Sequence, residues 1–300
     1  MNVLLVRAGA LGDVLLLRPA VASLRAGGHD VSLLAPSASG SALLGPGPSQ
    51  VSRLIDWERA EVSGLLADEV RVAPPLREAF RGLDLAIAYT RSEALGRGLR
   101  SALPRVVIHD PRPPDGFGHA ARWLAQPVAA EGIGVVEVVP LLEPVAKDDA
   151  EAERWLAQLP PDFLVVHPGS GSPAKNWPAR RFDLLAEGLS PDRPWLLVEG
   201  PAEGSSTLEG RGAVRIRSPH PSVLGAVARR AGLFVGNDSG ASHLAAAWGA
   251  PTLALFGPTD PGVWSPVGPR VRVLRSPSRA MTDLPVEAVL AAARAFGAGG

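Results

Sequence analysis

Short apolar runs alternate with amphipathic stretches along the whole of this sequence, and that rhythm limits its fold more than any other feature. A run such as "VLLV" at residues 3–6 suits a strand covered on both faces, and the amphipathic stretches between such runs supply the covering helices. The pattern predicts an α/β protein built on parallel sheets. In the first half, strands are expected at residues 3–6, 31–34, 51–55, 83–88 and 105–108; in the second, at 163–166, 195–198, 214–216, 233–235 and 252–256. Helices are expected at 148–159, 179–188, 222–231 and 239–248, with "LPVEAVLAAARAF" as the last. A further helix begins near Asp13, with Val14, Leu17, Val21 and Leu24 on one face, and Pro19 is expected to kink it.

At 300 residues the chain is too long for one ordinary core and comfortable for two. The stretch "GIGVVEVVPLLEPVAK", residues 132–147, is apolar but carries Pro140 and Pro144, so it is expected to run extended between domains. This divides the chain into domains at 1–145 and 146–300, with the last helix able to return to the first domain. Open parallel sheets bind ligands at the carboxyl ends of their strands, so a ligand is expected in a cleft between two such domains, contacted by strand exits.

Formal net charge is zero, and no run of Lys or Arg interleaves with aromatic residues. Nothing therefore points to a nucleic-acid groove or to strong attraction by anionic lipid, and any anion must be met locally. With no cysteine there is no disulfide, thiolate metal site or thiol nucleophile. Arg7, Asp13 and Arg18 interrupt the apolar amino terminus, which speaks against a signal peptide, and no stretch is long enough to span a membrane. The reading is a cytoplasmic protein.

The first strand exit is "RAGALGDVLL". Gly9 and Gly12 permit a tight turn, but the spacing is not that of a dinucleotide fingerprint. Asp13 is read either as the cap of the following helix or as a general base that takes a proton from an attacking hydroxyl. At the exit after residues 163–166 stands "HPGSGSPAKNWP". Its small residues expose amides and hydroxyls around Lys175, one of only two lysines in a chain with twenty-eight arginines. A compact ammonium retained where arginine is otherwise the rule suits a diphosphate; the competing reading is a solvated loop lysine.

The longest such stretch is "GLFVGNDSGASHLAAAWGAPTLALFGPTDP", residues 232–261. Ser239 is expected to cap a helix whose first turn holds Gly240, giving a helix start that favours anions. His243 lies four residues on, on the same face, and is read as a phosphate donor or as a packed helix histidine. Asp238 would repel phosphate directly, so it is assigned to binding hydroxyls, orienting Lys175 or orienting the loop amides. Between these stretches, "LLVEGPAEGSS" offers Glu199 and Glu203, either of which can accept from ribose hydroxyls or lie solvated in the loop. No Asp-x-Asp pair or histidine cluster has metal-ligand spacing, and a departing diphosphate would be balanced by Lys175, His243 and the helix start. No metal and no cofactor are expected.

Taken together, "RAGALGDVLLLRPA", "HPGSGSPAKNWP", "GPAE" and the 232–261 stretch resemble glycosyltransferase family nine, the lipopolysaccharide heptosyltransferases. The resemblance implies a GT-B fold, with two Rossmann-like α/β/α domains facing across a cleft. It implies an inverting, metal-independent transfer of a sugar, heptose by kinship, from an ADP-linked donor to a cell-surface glycan or lipopolysaccharide-like acceptor, with peripheral contact at the inner membrane face. By the same resemblance Asp13 is the base and Lys175 contacts the donor phosphates. Ser170 also contacts the donor, Glu203 meets the ribose, and Asp238, Ser239, Gly240 and His243 surround the diphosphate and sugar.

The sequence shows no evident basic cluster for a phosphorylated acceptor. Arg91, Arg97 and Arg100, after the 83–88 strand, are read as acceptor contacts or as a solvated helix face. A sugar-nucleotide epimerase or hydrolase on the same fold, and a non-catalytic nucleotide-sugar-binding protein, are the competing functions.

Overall fold

In a computed structural model, residues 1–200 and 208–297 are described. The chain divides into two compact units, Met1–Glu143 and Pro144–Gly300.

The first unit runs β1 (Asn2–Val6), α1 (Leu11–Leu15), α2 (Arg18–Ala26), β2 (Asp30–Ala35), α3 (Ser37–Gly40), β3 (Arg53–Asp56), α4 (Pro74–Ala79), β4 (Leu85–Tyr89), α5 (Glu93–Ala102), β5 (Val106–His109) and α6 (Ala120–Ala130). Its five strands lie in the order β3-β2-β1-β4-β5, and every neighbouring pair is parallel. Leu4, Val6, Leu34, Ala86 and Ala88 are fully covered, as apolar runs flanked by helices on both faces require.

Pro19 does not kink one long helix. The first helix ends at Leu15 and a second begins at Arg18, with Pro19 in its first turn. A proline there forfeits no helical hydrogen bond, because first-turn amides have no intrahelical acceptor. Val14, Leu17, Val21 and Leu24 are nonetheless all buried.

Residues 133–143 contain no helix or strand and are fastened along the first unit by side chains. Ser23 Oγ accepts from Val136 N, Ser49 Oγ donates to Pro140 O, and Gln50 Oε1 accepts from Glu143 N. Arg18, almost wholly buried, donates to the same Pro140 carbonyl. Burial pushes its guanidinium pKa down to about 10, which leaves it charged at neutral pH.

The second unit runs α7 (Ala146–Leu156), β6 (Leu164–His167), α8 (Ala179–Leu189), β7 (Trp195–Glu199), β8 (Ala213–Arg217), α9 (Pro221–Ala228), β9 (Leu233–Asn237), α10 (Gly240–Ala247), β10 (Thr252–Phe256), α11 (Pro261–Trp264), β11 (Val271–Arg275) and α12 (Val286–Gly297). Its sheet order is β11-β10-β9-β6-β7-β8, again parallel throughout. Counted within the unit this is the 3-2-1-4-5-6 order of a Rossmann sheet, and the first unit shows the same order without its last strand.

Strand β11 lies outside the predicted set because its sequence, "VRVLR", is interrupted by Arg272 and Arg275 instead of forming an apolar run; it is an edge strand, only partly covered. Helix α12 packs on α8 within its own unit. Helices α9 and α10 meet at Gly225, where a Cβ would collide with the indole nitrogen of the buried Trp248.

Candidate functional site

In a sheet of this order the chain leaves in opposite directions on either side of the first strand, which opens a crevice at the carboxyl ends of the first and fourth strands. In the first unit those strands are β1 and β4, and in the second they are β6 and β9. Most of the sequence-predicted residues follow one of these four strands.

Asp13 follows β1 but does not cap α1. The cap position is Ala10, and Asp13 sits three residues later, where its Oδ2 accepts from Ala10 N at 3.1 Å. An alanine cap has no acceptor of its own, so the aspartate reaches back to the helix start. Its other oxygen, Oδ1, is 2.6 Å from Nη2 of Arg7, and the carboxylate side chain remains about one third exposed. Gly9 makes room for this arrangement, since a Cβ there would stand 2.7 Å from Asp13 Cβ.

Arg7 also lines a cavity of about 410 Å³ with Trp57, Tyr89, Arg91, Pro111 and Arg112. Tyr89 lies buried at its edge, with its hydroxyl donating to Leu124 O at 2.7 Å; burial pushes its pKa up, so it stays neutral. Arg91 binds Asp110 at 2.9 Å, and that contact holds the Asp110 carboxyl below its ordinary range. Arg97 and Arg100 line an adjacent cavity of about 360 Å³ that shares Thr90, Arg91 and Ser92 with the first. The basic cluster not evident in the sequence is thus assembled by folding: Arg7, Arg91 and Arg112 come from three separate strand exits. Sequence reasoning missed Arg7 and Arg112, and the only signal for Arg7 was its place one residue after the β1 run.

In the second unit the "HPGSGSPAKNWP" loop leaves β6 and is pinned to β9 by Asn237, which is fully buried. Its Oδ1 accepts from Trp177 N at 3.0 Å, and its Nδ2 donates to Pro168 O at 2.6 Å. One amide thereby fixes both ends of the loop that carries Lys175. Ser170 holds the turn from within. Its hydroxyl donates to Ser172 O at 2.7 Å, accepts from Ser172 N at 3.2 Å and lies 2.6 Å from Asn176 Oδ1.

Lys175 and Asp238 are brought together, with Nζ 2.8 Å from Oδ2. The carboxylate is 6% exposed and the lysine side chain 29% exposed, so the ammonium is the accessible member of the pair. Thr259, which the sequence reading did not single out, donates its hydroxyl to the same Oδ2 at 2.7 Å. Ser239 caps α10 as expected, accepting from Ser242 N, and Gly240 is the first helical residue. His243 is buried within α10, and its backbone N–H donates to Ser239 O at 3.2 Å. Glu199 is buried between Arg215 at 3.1 Å and Arg217 at 2.9 Å, an ion-paired role, not that of an available acceptor. Glu203 lies outside the described residues. Among the described residues no three acidic or histidine side chains are grouped to hold a metal, and no helix is long and apolar enough to cross a membrane.

The sequence model of "Glycosyltransferase family 9 (heptosyltransferase)" matches residues 222–291, the segment that carries Asp238, Ser239, Gly240, His243 and Thr259. Over this segment the chain is similar to the family 9 heptosyltransferases. It is 31% identical over 153 residues to lipopolysaccharide heptosyltransferase 1 of Escherichia coli K12, a match covering 48% of each chain. The chain thus spans about half the length of this curated relative. The fold is shared end to end with a family 9 glycosyl transferase from Veillonella parvula, at a TM-score of 0.80 and 20% identity, covering 100% of this chain and 98% of that one. It is likewise shared with E. coli ADP-heptose heptosyltransferase II, at a TM-score of 0.77 and 18% identity, covering 99% of both. The chain therefore has the GT-B architecture of two Rossmann-like α/β units.

Proposed function

We propose that this protein is an inverting glycosyltransferase that moves heptose from an ADP-linked donor to a lipopolysaccharide-type acceptor without a divalent metal. The observation that carries the reading is the Lys175–Asp238 pair beside the capped start of α10, at the strand exits where a Rossmann sheet receives its ligand. The family 9 match over that segment and the ADP-heptose transferase among the structural relatives support the donor class.

In this reading the second unit holds the donor. Lys175 and the first amides of α10 take the diphosphate, Asp238 meets sugar hydroxyls, and Ser170 and Glu203 complete the nucleotide contacts. The first unit presents the acceptor, with Arg7, Arg91 and Arg112 around the larger cavity and Arg97 in its neighbour meeting negative charge on the glycan.

Asp13 removes the proton from the acceptor hydroxyl while its oxygen attacks the anomeric carbon. The new C–O bond forms as the bond to the β-phosphate oxygen breaks on the opposite face, which inverts the centre. The proton stays on Asp13 and the electron pair leaves with ADP, whose charge is met by the ammonium and the oriented amides. A metal ion is not required by this balance of charge. A place in the cytoplasm, with peripheral contact to the membrane that carries the acceptor, belongs to the same reading.

Asp13→Asn is expected to lower transfer by at least about a hundredfold while ADP binds as in wild type, because the base acts on the acceptor and not on the nucleotide. Transfer and calorimetric titration on the same preparations make the test. Full transfer by the Asp13→Asn protein would overturn the assignment of the base, and donor consumed without acceptor, giving free sugar or an epimer, would replace transfer with hydrolysis or epimerisation.

A further inference from the structure

Asp238 is almost fully buried at a place where, in the transferase reading on which this inference rests, an anionic diphosphate arrives. Without donor its cation is Lys175, at 2.8 Å. A diphosphate that recruits the Lys175 ammonium draws it away from Asp238, and a buried carboxylate stripped of its cation beside a new anion is strongly disfavoured. Something else must hold Asp238 as that exchange occurs.

We infer that Thr259 is the positioning residue that makes the exchange possible, by keeping a hydrogen bond on Asp238 while Lys175 transfers its charge to the donor. Three features of the structure carry this. Thr259 Oγ1 donates to Oδ2, the same carboxylate oxygen that Lys175 holds, so one donor stays in place when the other leaves. Oδ1 has neither contact, and it is the oxygen that the transferase reading assigns to a sugar hydroxyl.

The turn that delivers Thr259 is also fixed independently of the ligand. Gly257 is packed so closely that a Cβ would stand 2.7 Å from Met281 Sδ, Pro258 restricts the backbone, and Asp260 caps α11 by accepting from Gly262 N at 3.0 Å. Asp238 is held from its backbone as well, with its N–H donating to Leu255 O at 2.9 Å. The hydroxyl and the carboxylate therefore meet at a spacing set by two adjacent strands, β9 and β10, instead of by the mobile end of a lysine.

The test is Thr259→Val, which keeps the volume and removes the donor, beside Thr259→Ser, which keeps the donor. ADP is titrated calorimetrically into both and into wild type, and donor and acceptor KM are measured where transfer is seen. Loss of one hydrogen bond to a charged group predicts ADP affinity about tenfold weaker and donor KM raised to match in Thr259→Val, with acceptor KM and the melting temperature of the ligand-free protein unchanged and with Thr259→Ser close to wild type. A purely structural role would instead lower the melting temperature and raise both KM values. Thr259→Val that binds ADP as wild type does, or Thr259→Ser as impaired as Thr259→Val, overturns the role of Thr259 and leaves the transferase reading standing. Wild-type protein that binds no nucleoside diphosphate overturns both.

Discussion

A methyl group on residue 9 would stand 2.7 Å from Asp13 Cβ and 3.1 Å from its Oδ2. Gly9→Ala must therefore push the carboxylate off the position that Arg7 and Ala10 N define for it. Displacements of about 1 Å in a reacting group can cost a hundredfold in rate. Transfer by Gly9→Ala is expected to fall by about that factor, with ADP affinity unchanged, since the nucleotide is assigned to the other unit; paired activity and titration measurements check this. At this scale the sequence was informative where residue type alone was unusual, as with a lysine in an arginine-rich chain or an aspartate directly after a glycine turn. It was silent on Arg7 and Thr259, which are common residues made significant by a single contact. The pairing of Thr259 with Asp238 crosses 21 positions, and no local spacing encodes it.

Between the elements, the loop after β6 depends on an amide supplied by β9, 60 residues away from Trp177. Asn237→Leu removes both of its hydrogen bonds while filling similar space, leaving Trp177 N and Pro168 O buried without a partner. Each such group costs about 1–3 kcal/mol, so a loss of about 2–6 kcal/mol in stability is expected in denaturant unfolding, together with weaker ADP binding as the Lys175 loop loosens. Strand positions were legible because burial on both faces demands apolar runs, and each expected strand has an observed counterpart. What escaped was the element that does not obey that demand: β11 lies at an edge with Arg272 and Arg275 among its five residues, so its sequence reads as loop. The divided helix at Leu15 and Arg18 escaped for another reason, since Val14, Leu17, Val21 and Leu24 are buried whether or not the helix is continuous.

At the scale of the whole molecule, two sheets with one strand order carry different chemistry at the same place in each. In the first unit the strand exits carry an arginine–carboxylate pair, Arg7 with Asp13, and a cavity lined by arginines; in the second they carry a lysine–carboxylate pair and a helix start. ADP at a hundred times its dissociation constant stabilises the unit that binds it by about 2.7 kcal/mol. Hydrogen exchange should therefore slow in α10 and in residues 168–177, with the β1 exit unchanged. The protection should be equal with magnesium or with a chelator, because ammonium and amides meet the charge. Dependence on a divalent ion would contradict that electrostatic account.

Gly225 is not itself assigned to chemistry, yet the indole of Trp248, at the end of α10, rests against its bare Cα. The absent side chain is a shim: it fixes how deeply α10 is seated, and so, in the transferase reading, the height of the amides assigned to the donor at the helix's other end. In the transferase reading, natural variation that thickens this shim would tilt the proposed donor platform from below and alter sugar-nucleotide preference without touching a single contacting residue.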